Sequence, residues 1–348
     1  MSTKIKRIDE FDFIRAISAV GIAVGHFSIE LQNYGIDSPC HWLTYYPGGG
    51  FGWLFVTIFF ILSGAALRYR YTELHLKDIK LFYKKRWMSL FPSFYILWVF
   101  LYIRNASFYG SLLYKGSPLK FLLTVFGLDG WLSYRVDNYA IIGEWFLGAI
   151  VVIYTSYPLF IYLYNYNKWF VGIGVIIALA LEMHFNISVS DGVFRNLSSC
   201  YLSFLGGMLF VDYYDVAQKR GYLLASLIVI CILMYFGDAN ILNAVWSVHI
   251  LGMAAFIVLF NIGTILMKKA CISTMIQVIS TISYQIFLVQ HIVIYEILGI
   301  IRGRSIQAWS YCIILGLTIV WILFLSQGLK WITDGVVANI HNVNKNMR

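Results

Sequence analysis

Apolar runs close to 20 residues long recur along most of this 348-residue chain. A helix needs about 20 such residues to cross the hydrocarbon core of a membrane, whereas a strand of a membrane barrel needs only about 10 in an alternating pattern. Charged residues make up 12% of the chain, which is about half the fraction found in soluble domains. The sequence therefore predicts an all-α, polytopic membrane helix bundle.

We expect about ten transmembrane helices within a single membrane domain that spans residues 1–348. Their approximate bounds are 11–30, 51–68, 87–104, 140–164, 168–185, 197–213, 221–236, 244–266, 275–298 and 308–328. A further apolar run at 118–128 is too short to cross and is expected at the membrane interface.

Basic residues lie mostly between these spans and account for the formal net charge of +9. Their largest cluster is the loop from Arg68 to Arg86, and positively charged loops face the cytoplasm. This orientation places both termini in the cytoplasm, and it explains the charge without a nucleic-acid partner. The loop itself has two interpretations, which are anchoring to anionic lipid headgroups or binding an anionic cytosolic ligand that carries phosphates.

The first span contains two ionisable side chains, Arg15 and His26, in an otherwise apolar run. Eleven residues separate them, which is roughly three helical turns plus about 20°, so both project from one face with Cα atoms about 16 Å apart along the axis. Ionisable groups inside a span are costly and are functional candidates by default. The alternatives are that Arg15 extends to the membrane surface and that His26 bonds to a neighbouring helix.

Three further residues are candidates. Glu144, near the outer end of the fourth span, either contacts interfacial water or faces the bundle and pairs with His26. His291, in the ninth span, is a second buried histidine that would meet His26 if both face one cavity. Small residues beginning at Ser63 allow either a ligand or another helix to approach the second span. No metal-ligand spacing and no hydrolase or phosphate-loop motif occurs, so no metal is expected.

Five sequence blocks, in this order, resemble the acyltransferase family 3 of membrane proteins, mostly bacterial enzymes that O-acylate sugars. The blocks are FDFIRAISAVGIAVGHF, FFILSGAAL, FYKKRWMSLFPSFY, EWFLGAIVVIYTSYPLF and ISYQIFLVQH. The resemblance covers most of the chain and implies ten spans with both ends cytoplasmic. It departs at the family's arginine-x-x-arginine element, where Arg86 matches the first arginine but Ser89 stands at the second. Either Lys84 or Lys85 supplies that charge, or the donor site differs.

The resemblance implies that this protein is a multi-pass enzyme of the cytoplasmic (inner) membrane. It would transfer an acyl group, most often acetyl, from cytosolic acyl-coenzyme A to a hydroxyl of a glycan or glycolipid. His26 would be the general base, with Arg15 and Arg86 near the donor phosphates. From its depth alone we add Glu144 as the residue that orients the imidazole. Acyl-coenzyme A, a glycan acceptor and membrane lipids are the expected partners, and the oligomeric state stays open.

The remaining candidates, Ser63 and His291, are assigned to substrate binding. A transporter or exporter of a glycan intermediate is the alternative class, because ionisable groups at depth in a ten-span bundle fit that function as well.

Overall fold

A computed structural model describes residues 7–40, 44–47, 49–140, 142, 144–188, 192–217, 219–237 and 243–346. The helices are α1 (Asp9–Asn33), α2 (Phe51–Arg70), α3 (Leu76–Tyr109), α4 (Phe121–Val125), α5 (Glu144–His184), α6 (Leu197–Asp212), α7 (Tyr214–Ala217), α8 (Arg220–Phe236), α9 (Ala244–Leu266), α10 (Ala270–Thr281), α11 (Ser283–Ile300) and α12 (Ala308–Asn346). Single 3₁₀ turns lie at Pro118–Lys120 and Val193–Arg195, and a small hairpin pairs β1 (Tyr45–Tyr46) with β2 (Gly49–Gly50).

Seven helices in the described part of the chain are long and apolar enough to cross a membrane: α1, α2, α3, α5, α9, α11 and α12. Three more, α6, α8 and α10, are apolar but have only 10–17 residues. The prediction of an all-α, multi-pass membrane protein is therefore confirmed. The count of ten spans and the cytoplasmic position of the termini stay predictions.

Helix α5 covers the fourth and fifth predicted spans without a loop between them. The backbone leaves helical geometry only at Asn167, with φ −158° and ψ 98°. The Asn167 Oδ1 atom accepts hydrogen bonds from the backbone N–H groups of Trp169 and Phe170, both at 3.0 Å. This is the geometry of a helix N-cap, so a second helical segment begins directly after Asn167.

The ninth predicted span, 275–298, is divided between α10 and α11, which meet at Ile282. Neither glycine nor proline marks this break in the sequence. Hydroxyl side chains surround it, and such groups offer hydrogen bonds that compete with the helical pattern. The Thr281 hydroxyl donates to the Gln277 carbonyl at 2.7 Å, and the Ser280 hydroxyl donates to Asp12 of α1.

The contacts divide the chain into two compact units, and the first comprises Met1–Thr72 and Tyr201–Phe324. Helix α1 is central in this unit, because it packs against α2, α9, α10 and α11. Helices α2 and α6 approach so closely that a Cβ added to Gly64 would lie 1.8 Å from the Phe204 carbonyl oxygen. A Cβ on Gly207 would lie equally close to the Ile61 carbonyl oxygen. The small residues of α2 at Gly64 therefore serve helix packing.

Two sets of polar contacts tie α1 to the α10–α11 segment within this first unit. After the C-terminal end of α1, the Asp37 N–H donates to the Arg304 carbonyl at 3.1 Å, and the Ile306 N–H donates to the Asp37 carbonyl at 2.9 Å. Near its N-terminal end, the Asp12 carboxylate accepts from Ser280 at 2.8 Å. These contacts at both ends hold α1 against the α10–α11 segment.

The second unit comprises Glu73–Cys200 and Leu325–Arg348. Stacked aromatic rings fill part of it: Phe121 lies over Tyr139 with centroids 4.4 Å apart, and Trp98 lies over Tyr102 at 5.0 Å. The apolar run at 118–128 forms only a 3₁₀ turn and the short helix α4, which is too short to span a membrane.

Candidate active site

Two histidines from different helices of the first unit lie against each other. The ring centroids of His26 in α1 and His291 in α11 are 4.3 Å apart, with the ring planes inclined by 43°. Both side chains are half-buried. The ring of Tyr295, one turn further along α11, lies 5.4 Å from His291. The packing of α1 on α11 thus joins two residues that are 265 positions apart in the chain.

Glycines bring α2 close to His26. A Cβ added to Gly25 would lie 3.0 Å from the backbone nitrogen of Gly52, so the two helix backbones nearly touch there. A Cβ on Gly52 would lie 4.0 Å from the Cδ2 atom of His26. Gly21 and Gly25 are spaced as a small-xxx-small pair, which allows close helix contact, and they seat the start of α2 beside the imidazole.

The close contact of the two rings constrains their charge. Two imidazolium cations at this distance would repel each other, so the pair is most stable when at least one ring is neutral. A neutral imidazole nitrogen is the form of histidine that accepts a proton from a hydroxyl. The geometry is therefore compatible with general-base chemistry at either ring.

Gln290, which precedes His291, is completely buried at 0% exposure. Within the described residues, neither its side-chain oxygen nor its side-chain nitrogen has a hydrogen-bond partner. An amide left unsatisfied inside a membrane span costs several kcal/mol. Gln290 is thus a buried polar residue next to His291 in the sequence of α11, and its burial calls for a reason beyond packing.

Arg15 lies at the other end of the α1 face and belongs to a hydrogen-bonded cluster. Its Nη1 atom donates to Asp12 Oδ1 at 2.8 Å and to Ser280 Oγ at 3.2 Å. The Asp12 carboxylate also accepts from Arg7 Nε. Sequence reasoning singled out neither Asp12 nor Ser280. The sequence could have pointed to Asp12, because this carboxylate lies three residues before Arg15, which is the spacing of an ion pair on a helix.

The second unit contains two further residues predicted from sequence, Arg86 and Glu144. The Arg86 guanidinium lies over the rings of Phe82 and Tyr154, 5.8 and 5.6 Å from their centroids. The Ser89 hydroxyl donates to the Arg86 backbone carbonyl at 2.8 Å, so it is engaged within α3. Glu144 begins α5, but its side chain lies outside the described residues, and its pairing with His26 stays a prediction.

Ser63 is half-buried in α2, next to the tightly packed Gly64, and its assignment to substrate binding also stays a prediction.

A third histidine within an apolar helix, His249, escaped the sequence analysis. His249 of α9 is 8% exposed, and its Nδ1 atom lies 2.8 Å from the Ser203 hydroxyl oxygen. The criterion that selected His26, an ionisable residue within an apolar run, applies equally to His249. Its bond to Ser203 joins α6 to α9, where polar contacts between helices stabilise a bundle.

No group of three or more histidine, cysteine, aspartate or glutamate side chains suitable for a metal ion occurs in the part of the chain that the structure describes.

A family model described as an acyltransferase domain matches residues 8–327. This chain belongs to acyltransferase family 3. Comparison with curated proteins and with solved structures found no match. The family 3 match contains every candidate residue named above except Arg7. With seven long apolar helices among its described residues, this family 3 member is a membrane acyltransferase.

Proposed function

We propose that this membrane acyltransferase transfers an acyl group, most often acetyl, from cytosolic acyl-coenzyme A to a hydroxyl of a cell-surface polysaccharide or lipid-linked glycan. The observation that carries the proposal is the contact between His26 and His291 in a chain of this family. The family assignment favours an enzyme over the alternative of a glycan transporter.

In the proposed reaction, neutral His26 takes the proton from the acceptor hydroxyl while the hydroxyl oxygen attacks the thioester carbonyl. The carbon–sulfur bond then breaks, and the thiolate of coenzyme A leaves with the proton returned by the imidazolium. A general base of this kind contributes roughly 10² to 10⁴ in rate. His291, in ring contact with His26, is proposed to help bind the substrate.

The donor carries several negative charges on its phosphate groups, and arginine binds phosphates through a planar set of N–H donors. Arg15 supplies such a group at the end of α1 that we assign to the cytoplasm. Arg86 is proposed for the same task on the strength of the resemblance to the family. The basic segment from Arg68 to Arg86, which forms the end of α2 and the start of α3, raises the local concentration of an anionic donor.

We further propose ten spans with both termini in the cytoplasm and location in the cytoplasmic membrane. The break at Asn167 supports counting α5 as two spans. Helices α6 and α8, with 16 and 17 residues, are close to the lower limit of about 17 residues for a crossing. Added to the seven long helices, these make ten.

The decisive experiment compares surface glycans by mass spectrometry in cells with the wild-type protein, without it, and with His26→Gln at equal protein level. We expect a mass increment of one acyl group per modified sugar only with the wild type. Purified protein in nanodiscs should also release free coenzyme A from acetyl-coenzyme A when that glycan is added. Identical glycans in all three strains, with no thiol release, would refute the proposal.

A further inference from the structure

The carboxylate of Asp12 is the centre of a polar cluster in the first unit. Its side chain is only 4% exposed, and it accepts hydrogen bonds from three residues that come from different segments. Arg7 precedes α1, Arg15 follows one turn later on α1, and Ser280 lies near the end of α10. The Arg15 Nη1 atom also donates to Ser280, so the guanidinium, the carboxylate and the hydroxyl form a closed triangle.

The two arginine side chains of this cluster are much more exposed to solvent than the aspartate side chain. The side chains of Arg7 and Arg15 are 58% and 32% exposed, whereas that of Asp12 is 4% exposed. The carboxylate therefore lies behind the two guanidinium groups, which are the accessible members of the cluster. A buried carboxylate is costly unless cations and donors surround it, and here both arginines and the serine serve that purpose.

Net charge alone does not explain how an anion would bind here. Asp9 and Glu10 share the first turn of α1 with Asp12, so the three carboxylates outnumber the two arginines. Recognition of a phosphate must then depend on the direction in which each guanidinium presents its N–H groups, and orientation is what Asp12 and Ser280 supply.

We propose that Asp12 is a positioning residue that, with Ser280, holds Arg15 in the orientation that binds the phosphate groups of the acyl-coenzyme A donor. This inference rests on the proposed function. Arg7 shares the same carboxylate and brings a second guanidinium to the cluster.

The test measures binding of coenzyme A to full-length protein in nanodiscs of zwitterionic lipid. We expect Asp12→Asn to weaken binding about tenfold, as loss of a hydrogen bond between charged groups does. If Asp12 acts through Arg15, the double variant Asp12→Asn/Arg15→Gln binds no more weakly than Arg15→Gln alone. Pantetheine, which lacks the phosphates, should bind equally to all variants. The exposed Asp9→Asn makes the same change in charge within the same turn and should stay within about twofold of wild type.

Additive losses in the double variant, or an equal loss of pantetheine binding, would assign Asp12 to general folding and overturn the proposal. Ser280→Ala, which keeps both charges, should weaken coenzyme A binding in the same direction, and it decides the question if Asp12→Asn does not fold. Wild-type protein that binds no coenzyme A would refute the proposed donor itself. Unchanged coenzyme A affinity in Asp12→Asn, with loss of binding to anionic lipid, would instead assign the arginines to a lipid headgroup.

Discussion

At the scale of single residues, the proposed chemistry depends on an imidazole held between two neighbours. His26 has the ring of His291 on one side and the start of α2 at Gly52 close to its Cδ2 atom. Both neighbours limit the rotamers that His26 can adopt, which is how an enzyme keeps a base in position for proton transfer.

We expect His26→Ala to lower kcat by roughly 10² or more with a much smaller effect on donor binding. His26→Gln keeps a hydrogen-bond donor and an acceptor but cannot take up a proton, so it should be nearly as inactive. The measurement is the rate of coenzyme A release, normalised to protein in the membrane. Near-normal kcat in His26→Gln would place the base elsewhere, and His291 would be the next candidate.

A second residue with an unusual environment is Asp129, in the connection between α4 and α5. It is 1% exposed, Thr124 donates to its Oδ1 at 2.9 Å, and its Oδ2 has no hydrogen-bond partner among the described residues. Burial raises the pKa of Asp129 to about 7. The folded protein therefore favours the protonated acid, whereas the unfolded chain releases that proton near pH 4.

The sign of the pH dependence follows from these two values. Between about pH 4 and pH 7 the folded state holds a proton that the unfolded state has lost, so stability decreases as the pH rises through this window. The effect is on the order of 1.4 kcal/mol for each pH unit. Asp129→Asn should remove this slope in thermal unfolding of the purified protein between pH 5 and pH 8. A slope that persists in the variant would show that another group causes it.

At the scale of elements, backbone contacts between helices make particular glycines irreplaceable. The Cβ of an alanine at position 207 would meet the Ile61 carbonyl oxygen of α2. That oxygen belongs to the backbone, so it cannot move aside as the end of a flexible side chain could. We expect Gly207→Ala to destabilise the protein by about 1–3 kcal/mol through overpacking, despite the better helix propensity of alanine.

The matched control is Gly316→Ala in α12. Nothing lies within 4 Å of an added Cβ at Gly316, so the substitution should leave stability unchanged or raise it by about 0.5–1 kcal/mol. Melting temperatures in detergent would measure both. Equal melting temperatures for the two variants would mean that α2 and α6 do not pack as closely as described.

Helix boundaries show why element-level prediction was incomplete. The N-cap at Asn167 is a local feature, because an asparagine side chain bonds to its own following turn. The break at Ile282 lies beside a non-local feature, the bond from Ser280 to Asp12 of α1, and no window of sequence contains both partners. The first boundary was predicted to within a few residues, whereas the second was missed.

At the scale of the whole molecule, orientation in the membrane decides whether the proposed donor reaches the arginines. We expect a reporter fused after Lys77 to read as cytoplasmic and one fused after Pro39 as outside, because the basic segment from Arg68 to Arg86 follows the positive-inside rule. Alkaline phosphatase and green fluorescent protein fusions at both sites would measure this. The reverse pattern at either site would remove the route by which a cytosolic donor reaches α1.

The sequence by itself determined the class of the protein, its family and the face of α1 that carries Arg15 and His26. Hydrophobic run length and helical periodicity are local properties, and in lipid a chain with such runs satisfies its backbone only as helices. Tertiary structure alone decided which groups meet those two residues. His291 reaches His26 because α11 packs on α1, and Ser280 of α10 reaches Arg15 across 265 positions. Such partners depend on how helix faces pair in space, which the periodicity of one helix does not specify.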